Sequence, residues 1–127
     1  LATFLSEEHM TAGTEALNGD AGFQGTMEGV DLVLQFEVTD APTGPVDYYL
    51  AVGDGVVTLA LGALDDADAS VASDYETAAA IAKGELNVQM AFMTGKIKVG
   101  GNMAKVMMYQ GLINEFARVS STLDLEF

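Results

Sequence analysis

Cysteine and tryptophan are absent from this 127-residue chain, and proline occurs only twice. Without a thiol there is no disulfide, no cysteine nucleophile and no thiolate-held metal. Cations are scarce too: five lysines and arginines face 19 aspartates and glutamates, for a formal net charge of -14. Such a surface repels phosphate backbones at long range, which excludes nucleic acid as a partner. The cations are also confined, with none before Lys83 and the five at Lys83, Lys96, Lys98, Lys105 and Arg118. No apolar run approaches the roughly 20 residues that a membrane-spanning helix needs, and the first residues lack the basic-then-apolar pattern of a signal peptide. The expectation is a soluble, cytoplasmic domain with no transmembrane segment.

Catalytic machinery is equally thin. His9 is the only histidine; in the first turn of a helix it reads as a solvated or capping residue rather than a base. No Ser-His-Asp arrangement, no H-E-x-x-H pair and no carboxylate dyad stands out. Asp65, Asp66 and Asp68 crowd one stretch, but an EF-hand counted from Asp66 would need glycine where Val71 stands and glutamate where Thr77 stands. That stretch reads as a solvated acidic turn. The sequence predicts no enzyme, no metal site and no cofactor.

What is present is half hydrophobic and only 19% charged, the composition of a packed globule. The length suits one domain over 1–127, with an N-terminal helix and Gly-rich connector over 1–29 and a core over 30–127. Ser6 caps the first helix, Glu7 and Glu8 suit its dipole, Leu5 and Met10 are spaced as a hydrophobic staple, and Asn18-Gly19 ends it. Residues 20–29, with Gly22, Gly25 and Gly29, read as a loop. Alternation then predicts strands over 31–39, 48–52 and 56–61, the last two joined by the hairpin signal Asp54-Gly55, so the three form an antiparallel meander. A short strand over 69–72 and a helix capped by Ser73 or Asp74, running to Lys83 and stopped by Gly84, follow. Residues 85–93 connect, with Leu86, Val88, Met90, Phe92 and Met93 expected inside.

The most specific stretch is Ala91-Phe92-Met93-Thr94-Gly95-Lys96-Ile97-Lys98-Val99-Gly100-Gly101-Asn102-Met103. Gly95 permits a tight turn, Ile97 and Val99 alternate with Lys96 and Lys98 at strand period, and Gly100-Gly101-Asn102 breaks the strand before a helix from Met103 to about Arg118. That helix is apolar on two sides, Met103, Val106, Met107 and Ile113 on one and Met108, Leu112 and Phe116 on the other. It must therefore meet something besides a sheet. Either it plugs an ordinary core, or its methionines line an adaptable cavity.

The combined string resembles the A-F-x-x-G-K-[LI]-K-[VI]-x-G-[ND]-M signature of the sterol carrier protein type two family, and the order of strands and turns from Val30 onward is similar to that family over roughly three quarters of the chain. The resemblance implies an α+β fold with a five-stranded, mostly antiparallel sheet covered on one face by helices, and an apolar tunnel between them that binds fatty acids, fatty acyl-CoA, phospholipids or sterols. By that similarity Phe36, Leu50, Met90, Phe92, Met93, Met103, Val106, Met107 and Gln110 contact the ligand. Lys96, Lys98 and Lys105 are the nearest cations and are expected to meet a carboxylate or phosphate at the mouth. The chain ends Leu-Glu-Phe and not in a Ser-Lys-Leu address, and it is acidic, which points to a prokaryotic member or a detached domain. A start at Leu1 fits a piece of a longer protein. Non-catalytic lipid binding or transfer is the leading function. The alternative is an interaction or dimerisation module that meets a second copy or a lipid-metabolising enzyme through the last helix.

Overall fold

Side-chain caps start every helix but the last in the computed structural model, which describes Ala2 to Phe127. After a short strand β1 (Ala2–Thr3), Ser6 accepts the His9 N–H and opens α1 (Glu7–Gly19). Leu5 and Met10 are both buried beside it, as the staple spacing requires. Residues 20–29 are not a loop. Asp20 accepts the Phe23 N–H at 2.9 Å and starts α2 (Ala21–Met27), whose Phe23 and Met27, one turn apart, are fully buried. The burial of that pair outweighs the helix penalty of Gly22 and Gly25, about 1 kcal/mol each.

The strands β2 (Leu32–Val38), β3 (Val46–Gly53) and β4 (Val56–Leu61) form the antiparallel meander, and β5 (Ala69–Ser73) pairs with β2 in parallel. Asp74 caps α3 (Tyr75–Ala82), Asn87 caps a short α4 (Val88–Met93), and β6 (Ile97–Gly101) joins β5 antiparallel. The sheet order is β4-β3-β2-β5-β6. It is thus the five-stranded, mostly antiparallel α+β arrangement expected. Gly100 and Gly101 lie within β6 instead of breaking it. Asn102 caps α5 (Met103–Met108), and α6 (Gln110–Thr122) follows after Tyr109, so the single last helix is two. Gly111, next to the break, is the weakest helix former there. Finally β7 (Leu125–Glu126) pairs with β1 in a small parallel ribbon that the sequence did not announce.

One face of the sheet is greasy across all five strands. In register, Leu34 lies between Leu50 of β3 and Ala69 of β5, and Phe36 between Tyr48 and Val71. Leu59 and Val99 extend these rows. The β4 edge is not left open. Thr14 Oγ1 takes the Leu59 N–H and donates to the Leu59 carbonyl, while Asn18, one turn on, does the same for Val57 through Oδ1 and Nδ2. Two α1 side chains therefore stand in for a sixth strand. On the far face Gln35 is buried, donating to the carbonyls of Tyr48 and Gly62 and accepting the Leu64 N–H.

Asp68 belongs to no solvated turn. Its carboxylate accepts the Val33 N–H at 2.8 Å, its carbonyl accepts the Asn102 N–H at 2.8 Å, and Lys105 Nζ lies 3.2 Å from its other carboxylate oxygen. One residue thus ties β2 to the junction of β6 and α5. Gly101 sits against it with φ +95, where an added Cβ would lie 2.7 Å from the Asp68 carbonyl oxygen and 2.8 Å from the Ala69 Cα. Gly101→Ala should lower unfolding stability by about 2–4 kcal/mol through left-handed strain and backbone overlap. Gly100→Ala, whose nearest neighbour would be Ser70 Oγ at 3.5 Å, should stay within about 1 kcal/mol. Urea midpoints of the two variants check this, and equal midpoints would contradict it.

Candidate functional site

Between the greasy sheet face and the helices lies a pocket of about 380 Å³. Its floor is Leu34, Phe36, Tyr48, Leu59, Val71, Ile97 and Val99. α3 contributes Ala78, Ile81 and Ala82, α4 contributes Val88, Gln89, Phe92 and Met93, and α5 contributes Met103, Val106 and Met107. The α6 wall carries Ile113, Phe116 and Ala117 with a polar seam of Gln110, Asn114 and Ser120. Phe36 stacks on Tyr48 with centroids 4.8 Å apart and leans on Phe116 at 5.7 Å. No aspartate, glutamate, lysine or arginine is among the described residues that line it.

Of the ligand contacts expected from the sequence, Phe36, Phe92, Met93, Met103, Val106, Met107 and Gln110 lie on this lining. Leu50 does not: its neighbours across the sheet are Leu34 and Leu59, and it is fully buried in the core. Met90 is outside the pocket and 54% exposed. Phe92 and Met93, expected inside with it, are also exposed, because α4 turns only Ala91 fully inward and leaves these side chains at the rim. None of the three lysines lines the pocket. Lys98 alternates with Ile97 and Val99 and so points to the opposite face of the sheet, Lys105 is engaged by Asp68, and Lys96 is exposed beyond α4.

The site also holds residues that sequence reasoning missed. Tyr48 and Leu59 could have been found from the strand alternation, since they share the face of Phe36. His9 and Phe4 carry no such signal. His9 is buried, not solvated, because the backbone turns sharply at Leu5, φ 65, and folds Phe4 back to within 5.4 Å of the imidazole. The Leu5 N–H donates to His9 Nδ1 at 3.0 Å. Burial pushes the His9 pKa down to about 4 and pushes the Tyr48 hydroxyl up, so both titratable groups on the lining are neutral at pH 7.

Because the native His9 value lies below the ordinary 6.5, the unfolded chain takes up the proton first as pH falls. The stabilisation from burying neutral imidazole is complete above pH 6.5 and is lost between 6.5 and about 4. The stability of the wild type should therefore fall relative to that of His9→Phe from pH 7 to pH 4. Urea titrations at four or five pH values measure it, and a difference constant with pH would contradict the burial of a neutral ring.

Comparison with known proteins bears on this geometry. The model of the SCP-2 sterol transfer family matches residues 14–114. Sterol carrier protein 2 of Gallus gallus is 31% identical over 81 residues, which are 63% of this chain and 15% of that protein, so the chain spans only a small part of this curated relative. A crystal structure of sterol carrier protein 2 superposes with a TM-score of 0.82 at 19% identity, covering 95% of this chain and 99% of that one. The stereoselective inverting sec-alkylsulfatase of Pseudomonas sp. matches with a TM-score of 0.55 at 27% identity, over 70% of this chain and 14% of that enzyme. Among the described residues no helix is long and apolar enough to cross a membrane. With the family model matching residues 14–114 of its 127, this chain belongs to the SCP-2 sterol transfer family.

Proposed function

We propose that the chain binds a long-chain lipid in this pocket, of the fatty acid, fatty acyl-CoA, phospholipid or sterol-like kinds, and carries it in the cytoplasm without changing it. The observation that carries this reading is the lining itself: about 380 Å³ of space, walled mostly by aliphatic, aromatic and methionine side chains, with no aspartate, glutamate, lysine or arginine among the described residues. That volume falls within the range of small-molecule sites. Each methylene moved from water into such a pocket contributes about 0.8 kcal/mol, so a chain of a dozen carbons supplies ample affinity before any head-group contact. No charged acid–base pair is among the described lining residues, which supports carriage over chemistry. In this reading Gln89, Gln110 and Asn114 face a charged head group at the mouth in place of the lysines. Family membership and the name of the chicken relative support lipid binding in general.

A second reading takes the rim as a docking face. Met90, Met93, Met107 and Met108 are between 54% and 80% exposed, and the match to a segment of a sec-alkylsulfatase suggests an enzyme as neighbour. The lipid reading uses Met93 and Met107 as the flexible edge of the entrance, since both also line the pocket.

Native mass spectrometry of the purified protein, then delipidation and titration with a fluorescent fatty acid, tests the carrier reading. The expected result is a saturable one-to-one complex. Ala117→Trp, which fills the pocket from α6, should weaken that binding at least about tenfold while the thermal midpoint moves little. Binding unaffected by Ala117→Trp, or no binding at all, would overturn it.

A further inference from the structure

The N-terminal wall of the pocket contains one polar side chain with half of its hydrogen-bonding capacity unused. His9 is 5% exposed and lines the pocket. Its Nδ1 accepts the Leu5 N–H at 3.0 Å, and a neutral imidazole that accepts through one nitrogen carries its proton on the other. The proton is therefore on Nε2. Among the described residues none receives it, and since no buried side-chain nitrogen or oxygen lacks a partner, Nε2 keeps a small accessible surface. The ring is also held in place. Nδ1 is pinned by Leu5, the His9 N–H is capped by Ser6 Oγ at 3.2 Å, and the Phe4 ring lies at a 33° tilt against the imidazole. Phe4 is in turn 5.8 Å from Tyr75 and 4.8 Å from Phe127.

We propose that His9 Nε2–H is a lipid-anchoring donor that takes up an uncharged oxygen, a hydroxyl or an ester or ketone carbonyl, on the part of the lipid that reaches the α1 side of the pocket. This rests on the reading of the pocket as a lipid site and narrows its ligand class. A carboxylate brought to the same place would lose its water with no lysine or arginine among the described lining residues to replace it. Free fatty acids therefore bind with the carboxylate at the mouth and the tail toward His9. Long-chain alcohols, esters and hydroxylated ring systems can turn the other way and gain a hydrogen bond that an alkane cannot.

His9 is the only histidine in the sequence, so in untagged protein the imidazole signals are assigned without mutagenesis. The probes are hexadecanol, hexadecane and palmitate, each delivered from cyclodextrin and followed by imidazole NMR and by titration. Hexadecanol is expected to bind about fivefold more tightly than hexadecane, the worth of one neutral hydrogen bond. It should also move the Nε2-bound proton downfield, while hexadecane and palmitate do not. His9→Phe should bind both uncharged probes equally. Hexadecanol binding with the Nε2 proton unmoved, or a fivefold preference that survives in His9→Phe, overturns the anchor and leaves lipid carriage standing. If none of the three probes binds, the carrier reading fails and the anchor with it. Should His9→Phe fail to fold, the wild-type spectra alone decide.

Discussion

A sheet whose inner face is apolar over all five strands has to be covered, and the helices of this chain lie tight on only part of it. On the β4 side α1 is close, with Gly13 placed so that a Cβ would meet Leu59 Cδ2 at 2.7 Å and with Thr14 and Asn18 completing the strand edge. From Phe36 through Val71 to Val99 the same face looks across the pocket at α3, α4, α5 and α6. What keeps α5 at the rim instead of collapsing inward is its junction with β6, where Asp68 holds Asn102 and Lys105 and Gly101 fits with no room for a side chain. Toward its other end Arg118 donates to Asp20, the cap of α2, and within α6 to Glu115. That exposed pair adds little stability; the buried Leu112 and Val119 are what turn α6 toward the core.

Much of this was legible in the amino-acid order. Period-two alternation located β2 and β4 almost to the residue, Asp54-Gly55 marked the hairpin between β3 and β4, and the caps read at Ser6 and at Ser73 or Asp74 set two helix starts, the second at Asp74. The motif through Asn102 placed the strand beside the pocket. What failed has a common cause: tertiary partners that a local pattern does not contain. Gly22 and Gly25 looked like a loop because the benefit of burying Phe23 and Met27 is a tertiary one, and Gly22 is small because Glu115 and Arg118 lie over it. Met90 and Met93 of α4 looked buried because hydrophobicity does not distinguish a packed interior from the lip of a cavity. Of the two roles read for His9, capping fits, since its Nδ1 accepts the Leu5 N–H just ahead of α1; solvation does not, because its burial depends on a left-handed turn at Leu5, and leucine gives no local hint of one.

The charge distribution and the pocket are linked. A chain with a formal charge of -14 places none of its carboxylates on the lining, and the two titratable groups that are there, His9 and Tyr48, are both driven toward their neutral forms by burial. Selectivity inside such a space comes from shape and from a few neutral dipoles, the amides of α6 and the imidazole of α1, and not from ion pairing. Anionic membrane surfaces are repelled by the same exterior, which separates how the chain approaches a lipid source from how it holds the lipid.

The central claim is that the space between the sheet and α3–α6 takes an acyl chain into an uncharged interior. A crystal of the protein loaded with a terminally brominated hexadecanol, measured at the bromine edge, tests it without reference to affinity or to any variant. The account predicts one anomalous peak inside the pocket, within van der Waals contact of lining residues such as Phe36, Val99, Val106 or Phe116. Bromine found only on the outer surface or at the exposed methionines, with side chains closed over the space, would contradict it.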